Sequence, residues 1–419
     1  MISPYFVPMN RVGAKRALHF VRHLPRHGWE PAVIALPERI ERDPDLVPLV
    51  PAVPMLRAFR CGPVALAEDA LHTLGWAPRR KVAAPAAGSR KPGGLGSAFD
   101  RYAKYLPFVF PRALLFLTRH RCDVIHANAG PFSALELGAA LARMTGLPFV
   151  ADLRDPWSIE PNSMAERGAL AQRVVAWREG RCFAAAARII VNTEAARTAY
   201  VEHYAGRIDP GRFVTIRNCF DPALYGAMPD PPGPEEPLRI VYYGHLRATK
   251  NAVQFLFALS EFTRYHEIGA GGVELITLGT RTAADEAAID DLGLGGIVKD
   301  HGWLPFTRCR ELLGRADLLL DLMGPDHGLQ ISGKFYDYLA CRRPILCVSP
   351  NTEMDAILAW TKSGRRVPNE VPAIRAALDE AWDRKHAGVP FTPDDEAVAA
   401  FTAAPATRRL AAILDEVAE

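Results

Sequence analysis

Nowhere in its 419 residues does this chain carry an apolar run approaching the ~20 residues of a membrane-spanning helix, which argues against a helical integral membrane protein. No secretory signal is expected from its opening residues either: MISPYFVPMNRVGAKRALHF has no basic start, no continuous apolar stretch and no small-residue cleavage site. Cysteine is sparse. The seven residues are odd in number, scattered and never in C-x-x-C spacing, so neither a disulfide framework nor a zinc site is indicated. Together these absences lead us to expect a soluble or peripheral protein of the reducing cytoplasm. No G-x-G-x-x-G follows a strand with an acidic ribose ligand ~20 residues on, which argues against hydride transfer. Basic residues are not interleaved with stacking aromatics, so no nucleic-acid partner is expected.

What is present is an ordinary globular composition, 49% hydrophobic and 23% charged, on a chain longer than one core usually covers. Two domains of roughly 200 residues each are the natural expectation. The net charge of +3 hides an asymmetry: 19 Lys and Arg stand against 8 Asp and Glu through Cys122, and 31 against 39 thereafter. A basic first part suits acidic lipid headgroups at the inner face of a membrane, or is a solvated face.

Short β-branched runs alternate with longer helix-like segments: PAVIAL (31–36), DVIHA (123–127), PFVADL (148–153), RIIVNT (188–193) and FVTIRN (213–218). This is the rhythm of parallel strands covered by crossover helices. The proline-rich, acidic PDPPGPEEP (229–237) interrupts it, since such a stretch continues neither helix nor central strand. The rhythm restarts with LRIVYYG (238–244), VELITLG (273–279), IVKDHGW (297–303), ADLLLDL (316–322) and PILCVS (344–349). The expected fold is α/β: two Rossmann-like doubly wound domains facing across a cleft, over residues 1–228 and 238–395, with 229–237 as linker and 396–419 as a closing helix. Residues 61–110 break the alternation, first with a Gly-, Pro- and Arg/Lys-rich loop, then with the apolar-aromatic YAKYLPFVFPRALLFL. That second part reads either as a membrane- or acceptor-facing amphipathic segment or as a helix packed on the core.

Three places carry chemistry. In RIVYYGHLRATKNAVQF a glycine turn at Gly244 and basic residues separate a strand from a helix; Arg247 and Lys250 suit a diphosphate, though an ordinary βα loop with exposed cations has the same composition. In GLQISGKFYDYLACRRPIL a helix begins near Ser332, an acceptable N-cap. Lys334 then falls in its first turn, at the wrong end of the dipole for a cation unless an anion is near, and Ser332 and Gly333 offer donors to the same ligand. In the first domain Gly13 follows the opening strand and brings a backbone N–H toward a diphosphate. His126 ends one strand, and Asp152, Arg154 and Asp155 end the next, at carboxyl strand ends where ligand sites lie.

Four segments, PYFVPMNRVGAKRALHFVRHLPRHGWEPAVIALP, DVIHANAGPFSALELGAALARMTGLPFVADLRDPW, IVYYGHLRATKN and ISGKFYDYLACRRPILCVSP, resemble the GT-B glycosyltransferases of family four, retaining enzymes without an obligatory metal. The resemblance implies sugar transfer from a nucleotide-diphosphate sugar, UDP- or GDP-linked, with no further cofactor, to a glycan or lipid-linked acceptor, in surface polysaccharide or glycan synthesis. It places Gly13 at the donor diphosphate loop and Lys250 at the phosphates. His245 stands where the family has an arginine, so Arg247 is expected to substitute. Of two family glutamates seven residues apart, the second aligns with Asp337, a carboxylate for the nucleotide ribose, and the first with Leu329, which cannot do that work. Ser332 and Lys334 mark a divergent branch. The implied catalytic set is Lys250, Lys334 and His126, with His126 at the donor sugar and Asp152, Arg154 and Asp155 toward the acceptor. The opening strand holds only Met1, Ile2 and Ser3 where members of the family usually have more, which leads to the expectation of a late start. Two alternatives stay open: an inactive nucleotide-sugar-binding partner protein, favoured by Leu329, and a nucleotide-sugar epimerase.

Overall fold

The computed structural model describes residues 1–38, 42–73, 93–230, 232–246, 252–269 and 271–419, without the side chains of Val12 and His72. The chain forms two compact units: Met1–Asn218 together with Ala403–Glu419, and Cys219–Thr402.

In the first unit the strands among the described residues are β1 (Val33–Ile34), β2 (Met55–Leu56), β3 (Ile125–Asn128), β4 (Phe149–Leu153), β5 (Arg188–Val191) and β6 (Phe213–Thr215). The last four pair in chain order, all parallel, and β1 pairs parallel with β2. Residues 1–3 join the two groups. Ile2 bridges Ile34 on one side and Ala127 on the other, its N–H donating to the His126 carbonyl at 2.7 Å. The order across the sheet is therefore β2, β1, the opening segment, β3, β4, β5, β6, and the succession reverses between the opening segment and β3. Every residue of β3 and β4 is buried, as expected of parallel strands covered on both faces. One covering layer comes from the two ends of the chain: Phe20 and Leu24, in and just after the helix Val12–His23, and Leu410, Ile413 and Leu414 of the helix Ala403–Ala418 cluster with Val150 and Ile190.

The second unit holds β7 (Leu238–Tyr243), β8 (Val273–Leu278), β9 (Val298–Asp300), β10 (Leu318–Leu322), β11 (Ile345–Val348) and β12 (Gly364–Val367). They lie parallel in the order β12, β11, β10, β7, β8, β9, so the winding reverses between β7 and β10. Phe255, Leu256, Leu259 and Phe262 of the helix Ala252–Tyr265 pack on Leu275, Leu320 and Leu346. Both units are thus Rossmann-like and doubly wound.

Pro229, which opens the proline-rich stretch, packs inside the second unit. Pro229 Cδ would lie 2.6 Å from a Cβ on Gly314, and Arg343 Nη2 donates to the Pro229 carbonyl at 2.5 Å. The chain passes between units at Asn218/Cys219 and returns at Thr402/Ala403. Two strands, β2 and β12, do not stand out in the sequence. Both are sheet edges, and β12 reads GRRV, whose arginines hide the apolar signal. The helix Leu106–Arg119 buries Val109, Ala113 and Leu117 on one stripe, while Leu115 is 70% exposed. The loop expected at the start of 61–110 falls largely on residues 74–92, outside the described residues.

Candidate functional site

In an open parallel sheet, crossovers leave opposite faces at the point where winding reverses, which frees the strand ends there for a ligand. In the second unit that point is between β7 and β10, and the sequence-selected residues converge on it. Gly244 follows β7 with φ +135°, and its N–H donates to the Leu278 carbonyl at 2.9 Å. The turn after β8 presses against it: a Cβ on Gly279, φ +154°, would lie 2.4 Å from the Gly244 carbonyl oxygen. Only glycine suits that backbone-to-backbone contact. His245 is exposed, and its Nδ1 accepts the Thr280 N–H at 3.3 Å and lies 2.6 Å from the Thr280 hydroxyl. With Nδ1 accepting, the ring proton is assigned to Nε2, so a neutral His245 is left with an N–H donor at Nε2. Arg247 and Lys250 lie outside the described residues.

From the other side of the reversal comes the helix Gly333–Cys341, with Ser332 as N-cap residue. The Ser332 side chain does not cap; its hydroxyl donates to Asp321 Oδ2 at 2.5 Å. Lys334 Nζ lies 3.3 Å from Asp321 Oδ1 and 3.8 Å above the centre of the Tyr242 ring. A Cβ on Gly244 would sit 3.9 Å from the same ammonium, so the glycine turn and Lys334 are in van der Waals reach. Burial lowers the Lys334 pKa, and Asp321 opposes that without cancelling it. Asp337, one helical turn on, is buried and accepts a short hydrogen bond from the Tyr225 hydroxyl. Leu329 is half-buried in the β10-to-helix connection.

The first unit gathers its own set at the carboxyl ends of its strands. Asn128 Nδ2, at the end of β3, donates to the Gly13 carbonyl in the opening turn of the helix Val12–His23, at 3.3 Å. Arg154, just past β4, lies over both glycine turns: its Nη1 would be 2.7 Å from a Cβ on Gly13 and its Nη2 3.1 Å from one on Gly130. Asp155 Oδ2 accepts from Arg154 Nε and Nη2 at 3.0 and 2.7 Å. Gly13, Arg154 and Asp155 therefore come together.

His126 and Asp152 are set apart from that group, in the interior. Arg16 grips the Asp152 carboxylate with Nε at 3.0 Å and Nη2 at 2.9 Å, and His126 Nε2 lies 3.2 Å from Oδ2. Arg16, Asp152 and His126 are 2%, 0% and 4% exposed. Burial pushes the Asp152 carboxyl up, but Arg16 and then His126 outweigh it and hold it below the ordinary aspartate value. Burial likewise keeps His126 below the ordinary histidine value despite Asp152. Arg16 also donates to the carbonyls of Ile216 and Arg217, both at 3.0 Å, which ties the opening helix to the end of β6.

Sequence reasoning missed Asp321, Arg16 and Tyr225. Asp321 had a signal, a lone acid inside the apolar run LLLDL, since a buried carboxylate persists only with partners. Arg16 had a weaker one, three residues beyond Gly13. Tyr225 had none, because its contact with Asp337 spans 112 residues of chain. Among the described residues no group of three or more His, Cys, Asp or Glu is placed to hold a metal ion, and no helix is long and apolar enough to cross a membrane.

No curated protein sequence matches this chain. Solved structures do. Sucrose-phosphate synthase from Thermosynechococcus elongatus superposes with a TM-score of 0.64 at 15% identity, over 95% of this chain and 91% of that one. A glycosyltransferase from Rickettsia africae gives 0.60 at 12% identity, over 99% and 97%. Anabaena Alr3699/HepE in complex with UDP and glucose gives 0.54 at 19% identity, over 76% and 83%. At these identities the likeness is one of fold, the two-domain GT-B architecture. The profile described as Glycosyltransferase Family 4 matches residues 13–224, just over half of the chain, from Gly13 to beyond the end of β6. The chain belongs to Glycosyltransferase Family 4.

Proposed function

We propose that this glycosyltransferase moves a sugar, with retention of anomeric configuration, from a nucleoside-diphosphate sugar to a glycan or lipid-linked acceptor in surface polysaccharide or glycan synthesis. The observation that carries the reading is the meeting of Lys334 with the Gly244 turn where the winding of the second unit reverses. A diphosphate there meets an ammonium, the amides of a helix start at Gly333, and a glycine turn with His245 beside it. Lys334, with Lys250 and Arg247, stabilises charge growing on the departing phosphate; no metal is needed for that role. Asp337 serves the ribose. In the first unit Arg154 and Asp155, beside the Gly13 turn, receive the acceptor, and the buried Asp152 with His126 braces the strands that carry them. UDP-linked sugars are the first to test, since HepE was solved with UDP and glucose. Basic residues on the helix Leu106–Arg119, beside the exposed Leu115, suit peripheral contact with acidic lipid at the cytoplasmic face.

The test is calorimetric titration of the whole protein with UDP, GDP and ADP and their sugars, alongside Lys334→Ala and Lys250→Ala. One nucleoside diphosphate is expected to bind, at least tenfold more weakly in both variants. Binding of none would remove the donor site, and with it both the transferase reading and that of a nucleotide-sugar-binding partner. Retention is read by proton NMR of the first product: an anomer opposite to the donor's overturns it.

A further inference from the structure

Asp321 is fully buried in the centre of the second sheet, in a strand whose four other residues are leucines. A carboxylate in such a place costs several kcal/mol unless its oxygens are matched. Both oxygens face residues of one short segment: Oδ2 accepts the Ser332 hydroxyl at 2.5 Å, and Oδ1, which has no hydrogen bond, is met by the charge of Lys334 Nζ at 3.3 Å. The same pairing explains a placement that is otherwise unfavourable, a lysine in the first turn of a helix, where the dipole repels a cation. The Tyr242 ring lies 3.8 Å from the ammonium, and a Cβ on Gly244 would lie 3.9 Å from it, so the ammonium stands between the ring, the carboxylate and the glycine turn. Asp321 is too deep to touch a ligand itself, while the Lys334 side chain keeps 11% exposure.

We infer that Asp321 is the positioning residue of the donor site: through one carboxylate it holds Lys334 by charge and Ser332 by hydrogen bond, so that the ammonium stands aimed at the Gly244 turn before any anion arrives. The inference rests on the donor-site reading for its purpose, though not for its physical content. Pre-aiming a charged group removes the cost of ordering it when ligand binds. It also sets the ionisation of that group. Around the ammonium stand Asp321 on β10, Cys347 beside it on β11 and Tyr242 on β7; burial raises the Cys347 thiol well above its ordinary value, so that thiol is neutral at physiological pH. Of these neighbours, Asp321 is the one whose charge opposes the effect of burial on the lysine.

The test uses Asp321→Asn in the full-length protein, with two measurements. The first is acylation of Lys334 by an amine reagent between pH 6 and 11, followed by mass spectrometry, which needs no ligand. Loss of the carboxylate is expected to move the labelling midpoint down by at least one pH unit, because burial then acts unopposed. The second is nucleoside-diphosphate affinity against pH: the alkaline loss of binding should move down by the same amount, and should vanish in Lys334→Arg, whose charge does not titrate. An unchanged labelling midpoint in a folded Asp321→Asn protein overturns the inference. If Asp321→Asn does not fold, Ser332→Ala, which frees one carboxylate oxygen, should shift the midpoint by a measurable amount, and no shift in that variant counts against it equally. A shifted midpoint in a protein that binds no nucleotide in any form would sustain Asp321 as the lysine's anchor while removing the donor-site reading.

Discussion

His126 ends up in a place the sequence does not announce, and its burial has a consequence that can be measured. A histidine held neutral inside the fold contributes stability that is present above the unfolded-state value of about 6.5 and is lost as pH falls below it, because the unfolded chain takes up the proton first. Here burial outweighs the Asp152 carboxylate, so the direction is that of a depressed histidine. Tm is therefore expected to fall between pH 7.5 and 5.5, and His126→Asn to flatten that part of the curve in thermal melts. A slope that survives the substitution would assign it to other groups. Asp152 works lower on the scale: its carboxyl is held below the ordinary value, so its contribution is present above about pH 4 and disappears only under strong acid. Both residues are legible in the sequence as polar positions in apolar runs, but His126, expected to end its strand, is the second residue of β3, which ends at Asn128. What the sequence does not show is that Arg16, 136 residues away from Asp152, turns toward them and encloses the group.

Turns and helices make a second scale of argument. The Gly244 and Gly279 turns end adjacent strands, and each needs the other to be small. Adding one methyl at Gly279 places it 2.4 Å from the Gly244 carbonyl, in a backbone region that costs side-chain-bearing residues about 1–3 kcal/mol. Gly279→Ala is expected to lower Tm by several degrees and, by displacing the Gly244 turn, to weaken nucleoside-diphosphate binding at least tenfold; intact affinity in the variant would show that the turn is not part of the site. The glycine after β7 is recognisable from its place between a strand and basic residues. The one after β8 is not, because its role depends on β8 lying next to β7. Helix starts follow the same pattern. Ser332 is readable as an N-cap position, but its hydroxyl turns to Asp321 because β10 brings a buried carboxylate beside it. The helix Leu106–Arg119 is apolar on several sides in sequence, and only packing decides that Val109, Ala113 and Leu117 face inward.

At the level of the whole molecule, the last helix belongs to the first unit. Leu410, Ile413 and Leu414 close a core begun by Phe20 and Leu24, and Trp29 Nε1 donates to Asp415 at 2.8 Å. A chain ending at Thr402 should therefore uncover the first unit and leave the second intact. Hydrogen exchange would show it: amides of β3 and β4 should lose protection while those of β10 and β11 keep theirs. Equal loss in both would mean that the two units unfold together.

The sequence alone determined the class of fold, because fully apolar β-branched runs spaced by helical segments admit little except parallel sheets with crossovers. It also determined most of the strand positions, the glycine turn after β7 and the lysine and serine of the SGK segment, since these depend on local pattern. Tertiary structure alone decided the order of strands, hence the reversal between β7 and β10 that brings Gly244 to Lys334. It decided the partners of the buried charges, Arg16 with Asp152 and Lys334 with Asp321, and the return of the final helix to the first unit. The physical reason is common to all of these. They are contacts between segments distant in sequence, where the energy of matching a buried charge or covering an apolar face depends on which neighbour the fold supplies, and no local pattern encodes that neighbour.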